Sequence, residues 1–127
     1  MLQILIASPD RTFLSELSSR MENGQAEITR TGSGGKAFSN VQQQAFDLFI
    51  ADEDLGDMTG LACIEKIVFM NPMLNCAVVS ALSEENFHEA SEGLGILMPL
   101  PKHPGQTETE KLLERLKSIL DLNKNSG

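Results

Sequence analysis

The amino-acid sequence predicts a doubly wound α/β domain, a parallel β-sheet with helices packed on both of its faces. Three observations lead there. Short apolar runs alternate five times with stretches whose apolar residues recur at helical spacing, the pattern that right-handed crossovers turn into a parallel sheet. The third run, Phe46 to Ala51, is apolar but for Asp47, as suits a strand covered on both sides. The length of 127 residues, 41% of them apolar, supports one domain whose core needs no disulfide or structural metal.

Leu2 to Ala7 is the first strand candidate. Ser8 and Pro9 then read as the N-cap and first residue of a helix, since proline suits that position and serine caps well. Phe13, Leu14, Leu17 and Met21 carry the apolar stripe of this helix, and Asn23-Gly24 supplies its stop. Ala26 to Thr31 is a short polar strand. Gly32 to Gly35 makes a turn, and Ala37, Phe38 and Val41 mark a second helix ending near Gln44.

The third strand ends abruptly in Asp52-Glu53-Asp54 and a turn from Leu55 to Gly60. Leu61, Ile64, Ile67 and Val68 stripe a third helix, stopped at Asn71-Pro72 because proline restrains the residue before it. Cys76 to Val79 is the fourth strand and closes at Ser80. Ser83 caps a fourth helix with Glu84 and Glu85 in its first turn, where the helix dipole favours negative charge. Phe87, Ala90 and Leu94 form its thin apolar face. Gly95 to Leu100 is the fifth strand, and Pro99 and Pro101 send it to a sheet edge because proline donates nothing to a ladder. Thr107 to Glu110 has capping-box spacing, and Leu112, Leu113, Leu116, Ile119 and Leu120 make the strongest amphipathic helix. The domain is expected to span residues 1–122, followed by a polar tail, 123–127, that frays.

Ten Lys plus Arg against eighteen Asp plus Glu leave a net charge of −8, which argues against binding nucleic acid or an anionic membrane. Cys63 and Cys76 sit in apolar stretches without metal-ligand or disulfide spacing, so they read as buried thiols. No basic leader precedes the first run and no run is long enough to span a membrane, so a cytoplasmic location is expected.

Ligands of open parallel sheets gather at the carboxyl ends of the strands. Here those ends carry Asp52 after the third strand, Ser80 after the fourth and Lys102 past the fifth. A carboxylate, a hydroxyl and an ammonium suit phosphoryl chemistry: Asp52 as nucleophile, Ser80 donating to a phosphoryl oxygen, Lys102 countering its charge. The segment Gly32-Ser33-Gly34-Gly35-Lys36 departs from a phosphate-binding loop at Arg30 and Ala37 and is rejected as one. His88 and His103 read as surface histidines, and Glu53, Asp54 and Asp57 as a solvated acidic turn.

The run from Phe46 to Leu61 resembles the response-regulator receiver domain of two-component signalling, and the likeness extends from Leu2 to about Leu122. In that family an aspartate ends the third strand, followed by a leucine-proline turn, a methionine and a glycine opening the third helix. Asp52, Leu55, Met58, Gly60 and Leu61 fall at those offsets, with Gly56 in place of the proline. The resemblance implies a flavodoxin-like (βα)5 fold of strand order 2-1-3-4-5. It further implies Asp52 as phosphoacceptor, with Ser80 and Lys102 contacting the phosphoryl group.

Receivers hold Mg²⁺ with two acids after the first strand, the phosphoacceptor, and a carbonyl two residues beyond it. Ser8 and Pro9 stand at the acid positions here, which weakens the expected Mg²⁺ site and leaves Asp10, Asp52 and Asp54 as its candidate ligands. Pro99 replaces the usual aromatic three residues before the lysine, and His103 replaces the proline after it.

The leading expectation is therefore a non-enzymatic receiver module of a phosphorelay. Its partners would be a histidine kinase or phosphotransfer protein and a downstream protein, with a weak homodimer expected through the fourth helix, fifth strand and fifth helix. The second is a degenerate receiver, an interaction domain independent of phosphorylation. The third is a phosphatase, since Asp52-Glu53-Asp54 also resembles the nucleophile motif of haloacid-dehalogenase-like enzymes, though Gly56 and the absence of a later acidic pair depart from it.

Overall fold

A computed structural model of the chain describes residues 1–22 and 26–126. Five strands alternate with five helices: β1 (Leu2–Ala7), α1 (Arg11–Met21), β2 (Ala26–Thr31), α2 (Gly34–Gln43), β3 (Leu48–Ala51), α3 (Gly60–Met70), β4 (Asn75–Val79), α4 (Glu84–Ser91), β5 (Ile96–Leu100) and α5 (Gln106–Ser126). The sheet is parallel, in the order β2-β1-β3-β4-β5. The fold class is the expected one, with the proline-bearing β5 at an edge. A register irregularity between Cys76 and Val78 sets Pro99 opposite Val78.

The two-residue period of the strands divides the core in two. Ile4, Ile6, Leu48, Ile50, Ala77 and Val79 face α1 and α5, meeting Phe13, Leu17, Leu112 and Leu116. Leu5, Ala7, Phe49, Ala51, Cys76 and Val78 face the other way, against Ala37 of α2, Ile64 and Ile67 of α3 and Phe87 of α4. Each fully buried Leu, Ile or Phe contributes about 1.5–3 kcal/mol through removal of apolar surface from water. Both cysteines lie in the second layer, and burial pushes the Cys63 thiol up to about 11 and the Cys76 thiol up to about 12.

Several boundaries differ from the sequence reading. Helix α1 starts two residues later than expected, because Asp10 rather than Ser8 is its N-cap: the Asp10 carboxylate accepts from the Thr12 and Phe13 N–H groups. The expected stop at Asn23-Gly24 lies outside the described residues. Strand β3 begins at Leu48, because Asp47 turns its carboxylate onto the Gln3 N–H at 2.8 Å. Helix α3 is capped by Thr59, whose hydroxyl accepts from the Ala62 N–H, so Gly60 is already helical.

The cap of α5 falls two residues earlier than Thr107 and Glu110, at Gly105 and Glu108, and only the half supplied by the glutamate forms because glycine has no side chain. Glu108 Oε2 accepts from the Gly105 N–H at 3.0 Å, and the Thr109 hydroxyl donates to the Gly105 carbonyl. The backbone of α5 stays helical to Ser126, through four of the five residues expected to fray. Extending an existing helix costs far less than nucleating one. Among the described residues no helix is long and apolar enough to cross a membrane.

Candidate functional site

The ladder continues one residue past three strands and so fixes the backbones that carry the site. Ser8 N–H donates to the Thr31 carbonyl, Asp52 N–H to Ala7 and Ser80 N–H to Leu100, at 3.0, 2.9 and 3.1 Å. These positions stand at the carboxyl ends of β1, β3 and β4, the mouth of the sheet.

Asp52 is half-buried and both of its oxygens are engaged. The fully buried Ser8 hydroxyl donates to Oδ2 at 2.7 Å, and the Glu53 N–H donates to Oδ1 at 2.7 Å. Ser8 Oγ in turn accepts from the Asp10 N–H at 3.0 Å. The result is a short relay, Asp10 amide to Ser8 hydroxyl to Asp52 carboxylate, ending in a charge-assisted bond of the stronger kind. This is why Ser8 does not cap α1: its oxygen serves the first turn through Asp10, and its proton is committed to a carboxylate 44 residues away.

The remaining predicted residues are spread around this centre. Ser80 is half-buried, and its Oγ accepts from the Leu82 N–H at 3.2 Å. Lys102 is exposed, and the peptide bond joining it to His103 is trans. The hydrogen bonds to the Asp52 carboxylate come from Ser8 and Glu53, and neither Ser80 nor Lys102 supplies one. Asp10 Oδ1 is taken by its own helix. Asp54 Oδ1 accepts from the Gly56 N–H at 2.8 Å, closing a turn in which Gly56 adopts φ +86°. A side chain there would be strained, which accounts for glycine at that point.

This donor set does not fit Mg²⁺, which wants several carboxylate oxygens in near-octahedral array. One oxygen each of Asp10 and Asp54 is turned to local backbone N–H groups, and Asp52 accepts from the Ser8 hydroxyl and the Glu53 N–H. Among the described residues no three His, Cys, Asp or Glu side chains form a metal-holding group.

Besides Asp54, the other two residues of the exposed acidic turn also have specific partners. Glu53 Oε2 accepts from the Ala81 N–H at 2.6 Å, tying the loop after β3 to the loop after β4. The Asp57 carboxylate accepts from the Gly34 and Gly35 N–H groups, both at 2.9 Å. Those bonds, Gly34 first, hold the Asp57 carboxyl below the usual value of 3.8. The glycine segment rejected as a phosphate loop thus does cradle an anion at a helix start, and the anion is the protein's own. Nothing local in the sequence marks either pairing, since the partners lie 28 and 22 or more residues away. Ser8 read as the cap of α1, and no local signal in the sequence marked its bond to Asp52.

Comparison with known proteins decides the family. The family model for the response regulator receiver domain matches residues 4–117. The chain belongs to the receiver-domain family. The transcriptional regulatory protein ZraR of Escherichia coli K12 is 26% identical to this receiver over 124 residues, covering 93% of the chain and 28% of ZraR. The receiver therefore spans a little over a quarter of that relative's length.

Among solved structures, the N-terminal domain of an uncharacterized protein from Wolinella succinogenes is 27% identical, with a TM-score of 0.82 over 98% of this chain and 99% of that one. A CheY-like receiver domain from Methanospirillum hungatei has a TM-score of 0.82 at 23% identity, over 100% and 99% of the two chains, a likeness of fold.

Proposed function

We propose that this receiver is a protein-interaction module whose signalling surface is set without Mg²⁺-dependent phosphorylation. The observation that carries this reading is the Ser8–Asp52 hydrogen bond of 2.7 Å, formed where receivers place metal-holding acids. Phosphoryl transfer to a carboxylate brings two anions together, and the stabilisation of that charge is the main task of a catalytic site. Here the carboxylate faces a hydroxyl and an amide, and among the described residues no cation is hydrogen-bonded to its oxygens. Asp52 then serves as the acceptor that locks the ends of β1 and β3 together, and the output is the binding of a downstream protein.

A second reading keeps Asp52 as acceptor of a phosphoryl group from a histidine kinase or phosphotransfer protein. Its support is the position of Ser80 one residue past β4, with a hydroxyl that accepts from Leu82 and keeps its own proton to donate. The exposed ammonium of Lys102, beyond β5, is the cation such a group would call on.

Incubation with a small-molecule phosphodonor at millimolar Mg²⁺, followed by intact-mass measurement, separates the two. The expected result is an unchanged mass and an amide spectrum unmoved by beryllofluoride. A gain of one phosphoryl group, lost in Asp52→Asn, would overturn the first reading and establish the second.

A further inference from the structure

Of the five large hydrophobic side chains exposed among the described residues, three crowd the end of α3: Phe69 at 92%, Met70 at 38% and Met73 at 78%. None lies on α4, β5 or the described side chains of α5, the faces through which the family resemblance implies a dimer. Phe69 ends a stripe with Ala62, Glu65 and Lys66, spaced 3, 4 and 7 residues apart on one side of the helix. Phe38 of the adjacent α2 faces that stripe across a cavity of about 510 Å³. A second recess of about 290 Å³ adjoins it, sharing Phe38 and Lys66 and running inward to Met58 and Cys63.

The face therefore carries a protruding phenyl ring and, beside it, an apolar hollow that the ring does not fill. An aromatic exposed to this degree is unfavourable in water, and such patches mark interaction sites. We propose that the α2–α3 face joins two copies of this chain about a twofold axis, with Phe69 of each copy entering the hollow between Phe38 and Met58 of the other. A second copy brings knob and hollow together, as the self-complementary surface of a twofold contact requires. It also brings the right charges. Glu65 and Lys66 are neighbours on the rim, and in the proposed dimer the twofold axis runs between them, so that each acid of one copy meets the base of the other. An unbalanced acidic or basic partner would meet one like charge here. The association is independent of chemistry at Asp52, so it stands or falls apart from the reading above.

Sedimentation equilibrium of the whole chain, from about 1 µM to about 1 mM, the range of weak homotypic contacts, tests it. The average mass should climb from 13.9 kDa towards twice that value. Phe69→Ser, at a position too exposed to affect folding, should hold the protein monomeric with an unchanged circular dichroism spectrum. Glu65→Lys alone and Lys66→Glu alone should each weaken association by about tenfold, and the double exchange, which restores opposite charges across the axis, should recover it. A wild-type protein that stays monomeric throughout overturns the proposal and leaves the face to a different protein. So does a dimer that survives Phe69→Ser, or a double exchange no stronger than the singles.

Discussion

The Ser8 hydroxyl donates to the Asp52 carboxylate at 2.7 Å, joining the carboxyl ends of two adjacent strands through side chains 44 positions apart. Ser8 has no exposed surface, so its hydroxyl loses its partner without gaining one from bulk solvent if Asp52 is removed. Ser8→Ala should lower the unfolding free energy by about 2 kcal/mol, the scale of a hydrogen bond to a charged group. Asp52→Ala should cost a similar amount, leaving the serine proton unpaired. The double variant should cost less than the sum, with a coupling of about 1–2 kcal/mol in urea unfolding. Strictly additive losses would mean that the bond does not hold the strand ends.

The same pair shows why some of the molecule was legible in its sequence and some was not. The sheet and its layers follow from local pattern: apolar runs of strand length, stripes at helical spacing, and prolines that exclude β5 from the interior. The position of Asp52 was visible in the abrupt change from Ala51 to three consecutive acids. The cap of α1 was not, because Ser8 and Asp10 are both good caps, and the choice depends on where the Ser8 proton goes. That destination lies on another strand. Glu53 and Asp57 are exposed, as a solvated turn requires, but their partners were hidden for the same reason, since these are amides brought near only by the finished topology.

The bond from the Ala81 N–H to Glu53 Oε2, 2.6 Å long, makes the loop after β4 depend on a side chain from the loop after β3. Glu53→Ala should free that amide and speed its hydrogen exchange by about tenfold, the kinetic equivalent of about 1.4 kcal/mol of local protection. Amides within β4 should exchange as before, because their partners are strand neighbours. Two-dimensional NMR exchange reads both sets at once, and equal acceleration in strand and loop would show that the substitution loosens the whole sheet instead.

Gly60 opens α3 directly beneath the site. A Cβ at this position would stand 2.2 Å from the Asp52 carbonyl oxygen and 2.9 Å from Val78 Cγ2. The valine could turn, but the carbonyl belongs to the backbone that presents the Asp52 side chain. Gly60→Ala should therefore destabilise the fold by about 3 kcal/mol, at the upper end for overpacking, even though alanine is the better helix former. Chemical unfolding measures the loss. A stability equal to wild type would mean that α3 can slide away from the end of β3.

Asp57 gives the protein a defined response to acid. Its carboxylate accepts from the Gly34 and Gly35 N–H groups, and those bonds favour the charged form, so its folded pKa lies below the unfolded 3.8. A carboxyl depressed in this way contributes stability that is fully present above the unfolded value and disappears as the pH falls through the folded one. Asp57→Asn removes the charge and offers only one accepting oxygen to two donors. The stability difference between wild type and Asp57→Asn should accordingly be constant at neutral pH. It should shrink only as the pH drops below 3.8, and the amide chemical shifts of Gly34 and Gly35 should titrate over the same interval in the wild type alone. A difference that instead grows on acidification would have the wrong sign for an anion held by amides, and would remove Asp57 as the clamp between the β3–α3 loop and the start of α2.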